Sequence, residues 1–178
     1  MNQKLKNEEL NRLSVDEFKS AKKQTVVVVL DNVRSLNNVG SAFRTSDAFL
    51  IEELILCGLT GTPPNKEIEK TALGATSSVK WSYFKTTLDA IEYLKQKNYF
   101  VYAVEQATQS TSLNTFIGNQ QNAFIFGNEV YGVDQAVIDA CEGVIEIPQG
   151  GTKHSLNISV SIGIVLWEVF RSSLSDLK

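Results

Sequence analysis

The chain has 178 residues, 43% of them hydrophobic and 21% charged, a length and balance that suit one packed domain and exclude a disordered or fibrous protein. Its formal net charge of −3 excludes a protein that grips nucleic acid by bulk positive charge alone. Cys57 and Cys141 lie in apolar segments, with no Cys-x-x-Cys pair or Cys/His cluster. Both are read as reduced core residues, and no metal site is expected.

Residues 1–10 are largely charged and polar, which fits neither a secretory signal nor a transmembrane span, so no membrane is expected and the cytoplasm is the expected compartment. Up to Gln24, six Lys/Arg stand against four acids. This predicts a mildly basic N-terminal helical arm over 1–24, ahead of one domain over 25–178. Ser14-Val15-Asp16-Glu17 has capping-box spacing and predicts a helix to about Lys23 with Phe18 and Ala21 inward.

Four consecutive valines within residues 25–30 suit a strand covered on both faces in a parallel sheet. Asn37 or Asn38 then caps a helix carrying Ala42, Phe43 and Ala48, and residues 53–57 form the next strand. A loop at 61–65 leads to a helical segment over 66–75 and a strand near 79–83. Leu88, Ile91 and Leu94 mark a helix. Residues 100–105 and 123–126 are strands, 133–140 a helix, 144–147 the last strand and 156 to about 170 the last helix. Alternating strands and helices predict an α/β fold, a mostly parallel sheet with helices on both faces. The last helix is apolar nearly all round, so one face is expected to meet the sheet and another a second copy of the chain.

Ligands bind at the carboxyl ends of strands in open α/β sheets, and three polar or glycine-bearing clusters fall there. The first is Asn38-Val39-Gly40-Ser41-Ala42-Phe43-Arg44, in which Arg44 can hold a phosphate or polarise a hydroxyl. The second is Gly127-Asn128-Glu129-Val130-Tyr131-Gly132. The third runs from Ile147-Pro148 to Ser155-Leu156-Asn157, with Gly150 and Gly151 and a helix start that points unpaired N–H groups at the loop. Neither Gly-x-Gly-x-x-Gly after the first strand nor a phosphate loop ending Gly-Lys-Ser/Thr is present, which lowers dinucleotide dehydrogenases and P-loop nucleotidases. The single histidine, His154, abuts Ser155 without a Gly-x-Ser-x-Gly elbow, so a serine-triad hydrolase also fits poorly.

Taken in order, Asn38-x-Gly40-x-x-x-Arg44, Phe126-Gly127-Asn128-Glu129, and Ile147-Pro148 through Ser155-Leu156-Asn157 resemble the SpoU (TrmH-like) family of the SPOUT superfamily, RNA ribose 2′-O-methyltransferases. Lys70-Thr71-Ala72-Leu73-Gly74-Ala75 is similar to a segment that the family carries between its first two motifs. The resemblance covers about residues 25–170. It implies S-adenosyl-L-methionine as cofactor, a C-terminal trefoil knot and a homodimer whose active site draws on both subunits. The knot is an exception to the rule that chains do not thread loops.

Carried over by residue, the resemblance implies Arg44, Asn38, Glu129, Ser155 and Asn157 as catalytic residues. It implies Gly127, Asn128, Gly132, Ile147, Pro148, Ser155 and Leu156 as cofactor-binding residues. The expected substrate is RNA, tRNA ahead of rRNA, recognised through the ribose 2′-hydroxyl that DNA lacks. Two rivals are a non-catalytic RNA-binding factor of the same fold and a different small-molecule α/β enzyme.

Overall fold

Val26 and Val28 enter one apolar core and Val27 and Val29 another, because successive side chains of a strand point to opposite faces. These four lie in the middle of β1 (Gln24–Asp31). In the computed structural model, which describes residues 1–173, β1 is flanked on one side by β2 (Ile51–Cys57) and then β3 (Trp81–Phe84). On its other side follow β6 (Asn122–Phe126), β4 (Phe100–Val104), β7 (Gly143–Glu146) and the two-residue β5 (Thr111–Ser112). Every pairing in this seven-stranded sheet is parallel, so the α/β expectation holds in its fully parallel form.

Helices cover both faces, as buried parallel strands require. On one side α2 (Leu36–Ala48), α3 (Lys66–Ala72) and α6 (Ile158–Ser173) share a core with Phe43, Ile68, Phe124 and Val165. On the other, α4 (Thr87–Gln96) and α5 (Gln135–Ala140) bring Ile91, Leu94 and Val137 onto Val29, Ile55 and Ile125. Within α6, Ile162 and Val165 are fully buried while Val160 and Trp167 stay half exposed. The helix therefore has one covered and one open face.

The arm packs into this core. In α1 (Val15–Ser20) the Ser14 hydroxyl accepts from the Glu17 N–H and the Glu17 carboxylate accepts from the Ser14 N–H at 2.8 Å, completing the capping box. Phe18 is buried, and the Lys23 ammonium lies 4.2 Å from its ring centroid. The helix ends at Ser20, three residues earlier than expected, because Ala21 has an extended backbone and is only partly buried.

Other boundaries differ as well: α3 ends at Ala72 rather than 75, and β3 starts at Trp81 rather than near 79. Ser35, not Asn37 or Asn38, caps α2, its hydroxyl accepting from the Asn38 N–H at 3.3 Å. The fifth helix starts at Gln135 after Asp134, and α6 starts at Ile158, where the Asn157 side chain accepts from the Ser159 N–H at 2.9 Å. Among the described residues no helix is long and apolar enough to cross a membrane, and no group of three His, Cys, Asp or Glu is placed to hold a metal.

Candidate active site

A cavity of about 700 Å³ opens beyond the carboxyl ends of β4, β6 and β7, which supply Val104, Phe126 and, just past β7, Ile147 to its wall. The turn 127–132 forms one side and residues 154–158 the other. Its titratable lining groups are Glu105, Glu129, Tyr131 and His154, with no lysine or arginine. The site is therefore suited to a cationic ligand.

Asn128 builds the turn after β6. Its backbone N–H and C=O pair with Gly132 at 2.9 Å each, and its side-chain oxygen accepts from the Val130 and Tyr131 N–H groups at 2.9 and 3.2 Å. Its side-chain amide donates to the Asn32 carbonyl at 2.8 Å, tying the turn to the loop after β1. Gly127 is required by close backbone approach, since a Cβ there would lie 2.2 Å from the Gly132 carbonyl carbon. Gly132 has φ +69°, and a Cβ there would meet a Glu105 carboxylate oxygen at 2.2 Å. That carboxylate accepts from the Val133 N–H at 3.1 Å and the Gln106 N–H at 2.8 Å, joining the ends of β4 and β6.

The Glu129 carboxylate lies across the start of α2. It accepts from the Arg34 N–H, the Ser35 N–H and the Asn38 side-chain amide, each at 3.0 Å. A carboxylate is favoured there because a helix N-terminus presents unpaired N–H groups and the positive end of its dipole. Burial pushes the Glu129 carboxyl up, but the donors from Arg34, its own backbone, Asn38 and Ser35 outweigh burial and hold it below the ordinary carboxylate value. The Asn157 amide in turn donates to the Asn38 side-chain oxygen at 3.3 Å. One hydrogen-bonded chain thus links the turn after β6, the start of α2 and the cap of α6.

The sequence-derived residues fall into three groups. Asn38, Glu129 and Asn157 meet in this chain, and Glu129 and Asn157 also line the cavity together with Gly127, Asn128, Gly132, Ile147, Ser155 and Leu156. Pro148 stands between the lining residues Ile147 and Gln149 without joining the wall. Arg44 is apart: it is exposed, outside the lining, and makes no hydrogen bond or ion pair among the described residues.

The position of Arg44 follows from helix geometry. Arg44 follows Gly40 by four residues and Asn37 by seven, so the three share a face. That face belongs to α3, for a Cβ at Gly40 would lie 2.1 Å from the Thr71 hydroxyl, which donates to the Asn37 carbonyl at 3.0 Å.

Sequence reasoning missed Glu105 and Gln106, the latter donating to the His154 carbonyl at 2.6 Å across the cavity. Their place at the carboxyl end of a predicted strand was the available signal. It also missed that Arg34 and Ser35 contribute through backbone N–H groups, for which no side-chain pattern exists.

Residues 25–167 match the SpoU rRNA Methylase family. The chain is 29% identical over 169 residues to the tRNA (guanosine(18)-2′-O)-methyltransferase of Thermus thermophilus, covering 93% of this chain and 84% of that one. Among solved structures, an AdoMet-bound rRNA methyltransferase from Sinorhizobium meliloti superposes with a TM-score of 0.78 at 27% identity. The match covers 85% of this chain and 57% of that one, so the chain spans little more than half of that relative. The A. aeolicus TrmH/SpoU tRNA modifying enzyme shares the fold, with a TM-score of 0.81 at 23% identity over 91% of this chain and 82% of that one. With the Asn38–Glu129–Asn157 chain and the glycine turn lying inside the matched span, the protein belongs to the SpoU rRNA Methylase family.

Proposed function

We propose that this chain transfers a methyl group from S-adenosyl-L-methionine to a ribose 2′-hydroxyl of RNA, with tRNA as the substrate and the cytoplasm as its place of work. The observation that carries the reading is the Asn38–Glu129–Asn157 chain at the rim of the cavity. The named activity of the Thermus relative supports tRNA and the 2′-oxygen.

The cavity fits the cofactor on three counts. Its volume of about 700 Å³ lies within the range of roughly 300–1,000 Å³ usual for small-molecule sites. Gly127 leaves the space that a Cβ would fill beside the backbone of Gly132. The carboxylates of Glu105 and Glu129, without a cation in the lining, favour a positively charged sulfonium. Gly127, Gly132, Ile147, Ser155 and Leu156 would hold it, and when bound it supplies an electrophilic methyl group on sulfur.

Residues of the chain itself must orient the ribose and assist loss of the hydroxyl proton. Asn157 and Ser155 position the sugar, while Glu129 fixes Asn38 and the start of α2. Arg44 acts as a polarising cation. A guanidinium stays protonated at neutral pH and makes a poor free base, whereas its hydrogen bonds stabilise a developing oxyanion without its having to lose a proton.

Arg44 lies on the α3 side of its own α2, away from the Asn38–Asn157 contact, which supports its serving the cavity of a second copy in a homodimer. The half-exposed Val160 and Trp167 on α6 supply apolar surface for such a contact. Between β7 and α6, Ile147, Gln149 and residues 154–157 share the cavity with Val104 and Phe126. That passage over the ends of β4 and β6 supports a knotted trace.

The test is incubation with methyl-tritiated S-adenosylmethionine and, in parallel, unmodified tRNA transcripts and unmodified ribosomal RNA, followed by mapping of label on isolated nucleosides. Label on ribose is expected. Transfer to a base overturns the reading, label in ribosomal RNA alone moves the substrate to rRNA, and cofactor-independent RNA binding without transfer leaves a non-catalytic factor.

A further inference from the structure

We propose that Tyr131 is a stacking platform for an unpaired RNA base, and that Arg34, whose backbone N–H is tied to the Glu129 carboxylate of the same turn, holds a backbone phosphate of the same RNA. The inference rests on the proposed ribose methylation and adds how the nucleotide is gripped. Tyr131 is 82% exposed at the mouth of the cavity and Val130 is 68% exposed. The turn does not demand either side chain. Its shape comes from Asn128 and Gly132, and residues 130 and 131 contribute only backbone N–H groups to Asn128.

The turn is pinned to Asn32 through the Asn128 amide, to the start of α2 through Glu129, and at Gly132 against the Glu105 carboxylate. The backbone that carries the ring is thereby fixed, so a base stacking on it has only the two side-chain torsions of Tyr131 to order. The Tyr131 hydroxyl has no hydrogen-bond partner among the described residues. Among the described residues no hydrogen bond and no paired aromatic ring accounts for the side chain.

A ribose 2′-hydroxyl reaches a cavity only when its nucleotide is splayed out of the neighbouring stack, and the displaced base then needs a new surface. Aromatic side chains provide it for any base. Arg34 supplies the complementary charge. Its backbone N–H is held 3.0 Å from the same Glu129 carboxylate that precedes Tyr131 by two residues, and its exposed guanidinium has no acidic partner among the described residues.

The experiment measures binding of unmodified tRNA transcripts and of a fluorescein-labelled single-stranded oligoribonucleotide by anisotropy across a salt series. The chains compared are wild type, Tyr131→Ala, Tyr131→Phe and Arg34→Ala. Calorimetry with S-adenosylhomocysteine is run beside it, and sedimentation gives the oligomeric state.

Losing one stacked base is expected to weaken RNA binding by about 5- to 150-fold in Tyr131→Ala, with the salt slope unchanged and Tyr131→Phe restoring affinity. Arg34→Ala is expected to make the salt slope shallower by about 0.7–0.9. Wild-type RNA affinity in Tyr131→Ala, or a change in its oligomeric state that assigns the ring to a contact between copies, overturns the proposal. Failure of the wild type to bind S-adenosylhomocysteine instead overturns the methylation reading on which it rests.

Discussion

At Glu129 one carboxylate does two jobs: it caps α2 through the Arg34 and Ser35 N–H groups and it fixes the Asn38 amide that faces Asn157. Because its folded value lies below the ordinary 4.5, its stabilising contribution is present above that value and is lost as pH falls through the folded one. Glu129→Gln is expected to cost about 1 kcal/mol at neutral pH, the usual worth of a helix cap. The gap to wild type in urea midpoint should close on acidification, and a gap constant from about pH 7 to pH 3 would contradict the assignment. Asp31 titrates in the opposite sense. It is buried, which raises its carboxyl despite hydrogen bonds from Thr87 at 2.5 Å and Asn32 at 2.9 Å. Its contribution is full at low pH and is lost as pH rises through the folded value.

Among the elements, α2 lies close against α3 at Gly40. A methyl at Gly40 would lie 2.1 Å from the Thr71 hydroxyl and 2.2 Å from the Ile68 carbonyl, and the carbonyl cannot turn aside without unwinding α3. Gly40→Ala is therefore expected to destabilise by about 1–3 kcal/mol through overpacking, although alanine is the better helix former. Chemical denaturation measures this, and a stabilised variant would show that α3 can slide. The same helix shows what was legible in the sequence. Its apolar face, its span and the strand before it follow from Val39, Ala42 and Phe43 at helical spacing after a valine run. Its cap does not follow locally, because Ser35, Asn37 and Asn38 are all good caps and the choice is made by Glu129, more than ninety residues away. The two residues of β5 are too few to carry a period. The site motifs were readable as residue types at strand ends, while the backbone donors of Arg34 and Ser35 emerge only from the fold.

For the whole molecule, the separation of Arg44 from the cavity of its own chain gives a test of shared sites. Arg44→Ala and Glu129→Ala chains are each expected to be inactive alone. Mixed after co-expression, they should recover about a quarter of wild-type methyl transfer, because half of the proposed symmetric dimers would be mixed and each of those would have one intact site. No recovery would return Arg44 to the service of its own chain. The Asn157–Asn38–Glu129 linkage also bears on how the protein opens. Segments joined by shared bonds tend to unfold locally as one unit, so the starts of α2 and α6 and the glycine turn should exchange their amide hydrogens at a common rate. A nucleoside seated against the turn alone would then slow deuterium uptake at the far ends of both helices' first turns, carrying news of occupancy to surfaces it never touches.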